Sequence, residues 1–337
     1  MLTVDYFRMS VVQRMANLSA TDFDLSNITY GSEVLYNLGY YMKSIAEEAE
    51  RINTEEKIDI IKKLISFTDL TSLNATDSFE TVKKLIDRAT QPLALSLLND
   101  SETCCASVCI YPYYVKDAVA FRNFACALGR SFVSIVTVAG AFPSGMYKLI
   151  TKVHECREAK EDGADEIDVV INRGLVATHN WRVVQRVGSD EKRDRFADFD
   201  ENHLVDRGYR ISYGHLCGSY GSSFIKSSTG KEKLNSTVPG SLVICLAIRS
   251  FFLRYKRQVG FKAAGGIKTA QEAIVYYVLV KQILGERWLS KEYFRIGASE
   301  LLDDLVRTLE TLQFGKESSS YLHDAREMQH HRPTFSN

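Results

Sequence analysis

Seven short apolar runs, separated by longer amphipathic stretches from Leu64 onward, restrict this chain more than any other feature. They span residues 65–70, 106–111, 133–138, 166–171, 223–227, 259–262 and 294–297. The runs are rich in Val, Ile and Phe, and most lack strict alternation. That is the pattern of strands buried on both faces, as in parallel sheets covered by helices. The stretches between them read as helices. Asp77 and Glu80 stand at capping-box spacing before Val82, Leu85 and Ile86. Residues 147–162 are amphipathic and end at Gly163, and Thr269 with Glu272 repeats the capping box before a helix running to Leu284. Repeated strand–helix units over roughly 250 residues predict an α/β fold, a (β/α)8 TIM barrel. A doubly wound open sheet is the alternative, but its G-x-G-x-x-G turn after the first strand is absent.

The barrel does not use the whole chain. Residues 1–62 read as an N-terminal helical extension, with Leu35, Leu38, Met42, Ile45 and Ala46 at helical spacing and Asn53 as an N-cap three residues before Glu56. Residues 63–314 carry the barrel, and 315–337 form a polar tail. Within the barrel, residues 182–221 do not fit. About a third of them are charged, and no apolar run there reaches the length of a buried strand. The fifth strand unit is therefore doubtful. Read as it stands, the sequence predicts a barrel without its fifth strand, with two exposed edges.

Charge and cysteine content narrow the function classes. Lys plus Arg and Asp plus Glu are both 42, so the formal net charge is zero. That weighs against a broad electrostatic footprint for nucleic acid or an anionic membrane. No apolar run approaches a membrane span, and residues 1–16 lack the apolar stretch of a secretory signal. Cys104, Cys105 and Cys109 cluster, but no paired C-x-x-C with histidine partners follows. The seven cysteines read as thiols in a reducing cytoplasm, not as a disulfide or zinc framework. The expectation is a cytoplasmic protein without a zinc framework.

Polar residues at strand ends point to the chemistry, because a parallel barrel carries its active site at the C-terminal ends of its strands. Lys226 ends Phe-Ile-Lys, Lys262 ends Val-Gly-Phe-Lys, Asp69 ends Ser-Phe-Thr-Asp, and Asp168 lies inside Glu-Ile-Asp-Val-Val-Ile. Four ionisable groups in apolar strands are costly to bury unless they face each other. A lysine beside a second cation in a dry site loses proton affinity and can attack a carbonyl as the neutral amine. The alternative is that each lysine snorkels to solvent. Three glycine-rich turns follow late strands: residues 227–231, 263–266 and 297–299. Such turns let backbone N–H groups approach an anion, which suggests a phosphate site. Ordinary βα turns are the alternative.

Phe-Ile-Lys-Ser-Ser-Thr-Gly-Lys, Gly-Phe-Lys-Ala-Ala-Gly-Gly-Ile-Lys, Asp-Glu-Ile-Asp-Val-Val-Ile-Asn and Phe-Arg-Ile-Gly-Ala-Ser, in one chain, resemble deoxyribose-phosphate aldolase. The resemblance covers roughly residues 64–181 and 222–312, with the N-terminal helices of the longer eukaryotic members. It implies a class I aldolase that needs neither metal nor organic cofactor. It implies reversible cleavage of 2-deoxy-D-ribose 5-phosphate to glyceraldehyde 3-phosphate and acetaldehyde. By the motifs, Lys226 would form the Schiff base and Lys262 would be the cation beside it. Asp168 would move protons through a water, helped by Asp69 and Thr71. Gly230, Lys231, Gly265, Gly266, Gly297 and Ser299 would cradle the phosphate, and Cys109 would line the pocket. The implied partner is a small phosphorylated sugar, with no nucleic acid and no membrane; self-association is left open.

The sequence departs from the family pattern in places. Ser227 stands where Thr is usual and Ala263 where Pro is usual. Glu300 follows Ser299, where an inward negative charge would oppose a phosphate. Residues 182–221 lack the family's strand with Thr-Gly-Glu-Leu, so a diverged segment, an error in the reading frame or splicing, and a catalytically impaired phosphosugar-binding barrel are the competing explanations. In the tail, Tyr321 is a weak match to a family C-terminal tyrosine, and His330 and His331 read as solvated, not metal-binding.

Overall fold

The structure is a computed structural model that describes residues 32–93, 103–172, 174–175, 196–197, 222–233 and 235–315. Its strands are β1 Thr68–Thr71, β2 Ser107–Ile110, β3 Ser134–Ala139, β4 Glu166–Val169, β5 Phe196–Ala197, β6 Phe224–Lys226, β7 Gly260–Ala264 and β8 Phe294–Ala298. Each pairs in parallel with the next, and β8 pairs with β1, which closes the barrel. Among the described residues the helices are α1 Ser32–Arg51, α2 Thr54–Ser66, α3 Phe79–Thr90, α4 Val115–Ala127, α5 Leu149–Glu161, α6 Val238–Tyr255, α7 Ala270–Ile283 and α8 Leu301–Phe314. The predicted TIM-barrel class is what the chain adopts.

The fifth strand corrects the sequence-based expectation. Phe196–Ala197 bridges β4 and β6, with Ile167 opposite Phe196, Asp168 opposite Ala197, and Ala197 opposite Phe224. A two-residue strand carries no readable periodicity, so the charged stretch around it hid it. The rest of residues 182–221 lies outside the described residues.

The helices form where apolar periodicity and caps coincide. Asn53 caps α2 by accepting from the Glu56 N–H at 3.0 Å, and Thr269 with Glu272 forms the expected box at the start of α7. Ser78, not Asp77, caps α3, in a box with Thr81. Asp77 instead accepts from the Ser72 hydroxyl and the Asn74 N–H, which holds the β1–α3 loop. Each such cap contributes about 1 kcal/mol. In α1, Leu38, Tyr41, Ile45 and Ala49 are buried, whereas Ala46 faces outward. The extension is continuous with the barrel: α2 runs past residue 62 to Ser66 and packs on α7 and α8.

Helix α6 is a second correction. Its 18 residues have a mean hydropathy of 1.4, long and apolar enough to cross a membrane, although the sequence reading saw no such run. Here Leu242 through Ile248 are all buried, because α6 packs between β7, α7 and α1 and so buries more than one face.

A buried lysine pins α5 to the end of β4. Lys152 is 2% exposed and donates to the Val170 carbonyl at 2.8 Å. Burial pulls its ammonium down from the ordinary 10.5 to about 8. The folded chain therefore binds this proton less tightly than the unfolded chain, so Lys152's contribution to stability rises with pH across that window. Lys152→Met removes this slope. The melting temperature of the wild type minus that of the variant is expected to grow as pH rises from about 8 to 10.5; a flat difference across thermal melts would contradict it.

Candidate active site

Strand register brings the charged groups together. Lys226 in β6 is opposite Lys262 in β7, which is opposite Arg295 in β8. Three cations thus stand side by side on consecutive strands. Three carboxylates answer them from β1 and β4: Asp69, Glu166 and Asp168. Glu166 and Asp168 are two residues apart and so share one face of β4.

The contacts are direct. Lys226 Nζ pairs with Asp168 Oδ2. Lys262 Nζ lies 2.9 Å from that same oxygen and 3.1 Å from Oδ1. It also lies 2.9 Å from Asp69 Oδ2. None of these four side chains is more than 8% exposed. Burial alone would push the Asp69 carboxyl up, but Arg295 and Lys262 outweigh it and hold it below the usual range. Removing one partner from such a set leaves an uncompensated buried charge, at a cost of about 3–5 kcal/mol.

The lysines and carboxylates of the sequence reading therefore converge, with one refinement. Asp69 and Lys262 sit inside β1 and β7, not at their ends, so their heads meet within the barrel. Thr71 is half-buried, and its hydroxyl donates to the Asp69 carbonyl at 2.9 Å. The Cys109 thiol is 3.9 Å from Asp168 Oδ2 and is pushed up to about 12, first by burial and then by that carboxylate. It stays a protonated thiol at neutral pH. Among the described residues no group of three or more His, Cys, Asp or Glu side chains could hold a metal ion.

The glycine-rich turns form a second feature. Gly230, Gly265 and Gly266 all have positive φ, and the loops after β6 and β7 touch: a Cβ on Gly265 would sit 2.9 Å from Gly230 Cα. Lys231, Gly266 and Ser299, in the loops after β6, β7 and β8, are exposed. Gly297 differs. It lies within β8, where a Cβ would meet Ala264 Cβ at 3.3 Å, so its bareness eases the packing of β8 against β7. Glu300 turns to Lys268, at 2.9 Å, with both side chains exposed. Ser227 ties the two strands, its hydroxyl accepting from the Ala264 N–H at 2.9 Å.

Sequence reasoning missed three residues. Arg295 and Glu166 extend the charge set, as an arginine inside an apolar strand and a glutamate at i−2 from Asp168 could have signalled. Asn235 enters the cradle, with its Oδ1 buried and lacking a hydrogen-bond partner among the described residues. No local pattern marks it. A cavity of about 470 Å³ at the opposite, N-terminal mouth is lined by Ser134, Glu166, Phe224, Arg257, Lys291 and Arg295, among others. None of Lys226, Lys262 and Asp168 lines it, so it is separate from the lysine site. Tyr321, His330 and His331 lie outside the described residues.

A parallel barrel with two buried lysines on one carboxylate has the equipment of a lyase of the class I aldolase type. A mouse deoxyribose-phosphate aldolase is 38% identical over 311 residues, 87% of this chain and 94% of its own length, and the human one is 40% identical over 262, 73% and 80%. The chain belongs to the deoxyribose-phosphate aldolase family. A crystal structure of a putative deoxyribose-phosphate aldolase from Toxoplasma gondii shares the fold, with a TM-score of 0.64 at 17% identity, covering 80% of this chain and 98% of that one. No protein-family model matches the chain.

The cradle geometry has a measurable consequence. At Gly265, φ is +80°, and a Cβ would meet Asn235 Oδ1 at 2.8 Å as well as Gly230. Gly265→Ala is expected to cost about 1–3 kcal/mol. Gly266→Ala, whose Cβ would find its nearest neighbour at 3.3 Å, is expected to cost less. Equal melting temperatures for the two variants would count against the close approach.

Proposed function

We propose that this chain cleaves 2-deoxy-D-ribose 5-phosphate reversibly to glyceraldehyde 3-phosphate and acetaldehyde through a Schiff base on Lys226. One observation carries the reading: the ammonium groups of Lys226 and Lys262 share Asp168 Oδ2 in a buried site. Two cations on one carboxylate oxygen compete for its charge. Lys262 has a second carboxylate in Asp69, so Lys226 is the one that can release its proton.

Neutral Lys226 attacks C1 of the open-chain sugar. Asp168, with a water, moves protons while the carbinolamine loses water to give the iminium. The C3 hydroxyl then gives up its proton and the C2–C3 electron pair flows into the iminium. Glyceraldehyde 3-phosphate leaves, and an enamine remains. Protonation at C2 and hydrolysis release acetaldehyde and restore the amine. Gly230, Lys231, Gly265, Gly266 and Ser299 hold the phosphate away from the breaking bond, which contributes orientation. Asp69 keeps Lys262 charged, and Thr71 helps to hold Asp69. Cys109 lines the pocket. The reading places this step in deoxyribose phosphate catabolism in the cytoplasm.

Incubation with acetaldehyde and borohydride, followed by peptide mapping, tests the reading. The expected product is a reduced ethyl adduct on Lys226 that is absent from Lys226→Met. Folded protein without an adduct would leave a phosphosugar-binding scaffold in its place. Lys262→Met is expected to raise the proton affinity of Lys226 and to cut turnover at neutral pH by about tenfold or more, partly recovered at alkaline pH. A loss of activity that is the same at every pH would remove Lys262 from this role.

A further inference from the structure

The charge set continues beyond Asp69 to the far side of the barrel. Arg295 Nη1 donates to Asp69 Oδ1 at 2.9 Å, and its Nη2 donates to Glu166 Oε1 at 2.8 Å. The guanidinium lies over the Phe224 ring, 5.2 Å from its centroid. Glu166, Arg295, Asp69, Lys262, Asp168 and Lys226 thus form one ladder of alternating sign, drawn from five strands. Each member is at most 7% exposed. Glu166 and Arg295 form its lower end and line the cavity at the N-terminal mouth, with Arg257, Lys291 and Glu292 around them. Cys109 in β2 faces the upper end as a protonated thiol.

Alternation makes each link depend on the next. Arg295 favours an ionised Asp69, and an ionised Asp69 favours a proton on Lys262. A charged Lys262 disfavours a second charge on Lys226, because both meet the same Asp168 oxygen. Burial pushes the Glu166 carboxyl above the usual range, and Arg295 opposes that rise. In its ionised form Glu166 acts with the opposite sign, as it offsets the Arg295 charge from the cavity side. We propose that Arg295 and Glu166 are positioning residues that set, from the mouth opposite the lysine site, how readily Lys226 gives up its proton. Arg295 promotes that release and Glu166 restrains it. The inference rests on the Schiff-base reading of Lys226.

The test is the pH midpoint of acetaldehyde trapping at Lys226, with cyanoborohydride as the reductant and mass spectrometry as the readout. Glu166→Gln, nearly isosteric, removes a negative charge and is expected to move the midpoint down. Arg295→Met removes a positive charge and is expected to move it up, and Arg295→Lys keeps the charge and is expected to stay near the wild type. Each shift is expected to be about 0.5–1.5 pH units, as for a unit charge roughly 10 Å away at an effective dielectric constant of about 20. A merely structural role would lower the yield without moving the midpoints in opposite directions. Unmoved midpoints, or shifts of the same sign, overturn the inference. If Arg295→Met does not fold, Glu166→Gln decides alone: a downward shift supports the inference and an unmoved midpoint overturns it. A folded wild-type chain that gives no adduct overturns the Schiff-base reading, and the inference with it. An adduct with immobile midpoints overturns the inference alone.

Discussion

The structure depends on the cancellation of charge inside a closed, apolar barrel. Three cations on β6, β7 and β8 stand in one row, and three carboxylates on β1 and β4 meet them. Any one of these groups alone would be expelled from such an interior or would lose its charge. Together they sum to zero, and each finds an opposite charge within hydrogen-bond reach. The barrel can therefore hold two lysine amines in a dry place, where electrostatic effects between neighbours are strongest.

The scaffold serves that cancellation in small ways. Gly297 lets β8 pack closely on Ala264 of β7, two residues beyond Lys262. Phe224 offers its ring to Arg295, so the guanidinium rests on an aromatic face as well as on two carboxylates. Ser227 stitches β6 to β7 directly after Lys226, which fixes the register that puts the two lysines side by side. The cradle above depends on backbone shape, with left-handed glycines where two loops come closer than a side chain permits and Asn235 beside them.

Much of this was legible in the sequence, and the exceptions have physical causes. Seven strands declared themselves because burial on both faces demands unbroken apolar runs. Lys226, Lys262, Asp168 and Asp69 stood out because charge in such runs needs a reason. Arg295 and Glu166 carried the same signal but sit near the starts of their strands, away from the ends that a barrel uses for chemistry. Asn235 was not legible, because its place in the cradle depends on two loops meeting. The fifth strand was hidden since two residues cannot show a period. Ser78 took the cap expected of Asp77, because Asp77 was already engaged with Ser72 and Asn74.

That shortest strand has a mechanical consequence. Phe196–Ala197 is the narrowest stave in the barrel wall, and it stands between the strand of Asp168 and the strand of Lys226. The ion pair of those two residues crosses the gap like a clasp over a thin seam. Among the described residues, the wall is thus joined at its shortest strand by side-chain charge as well as by backbone pairing.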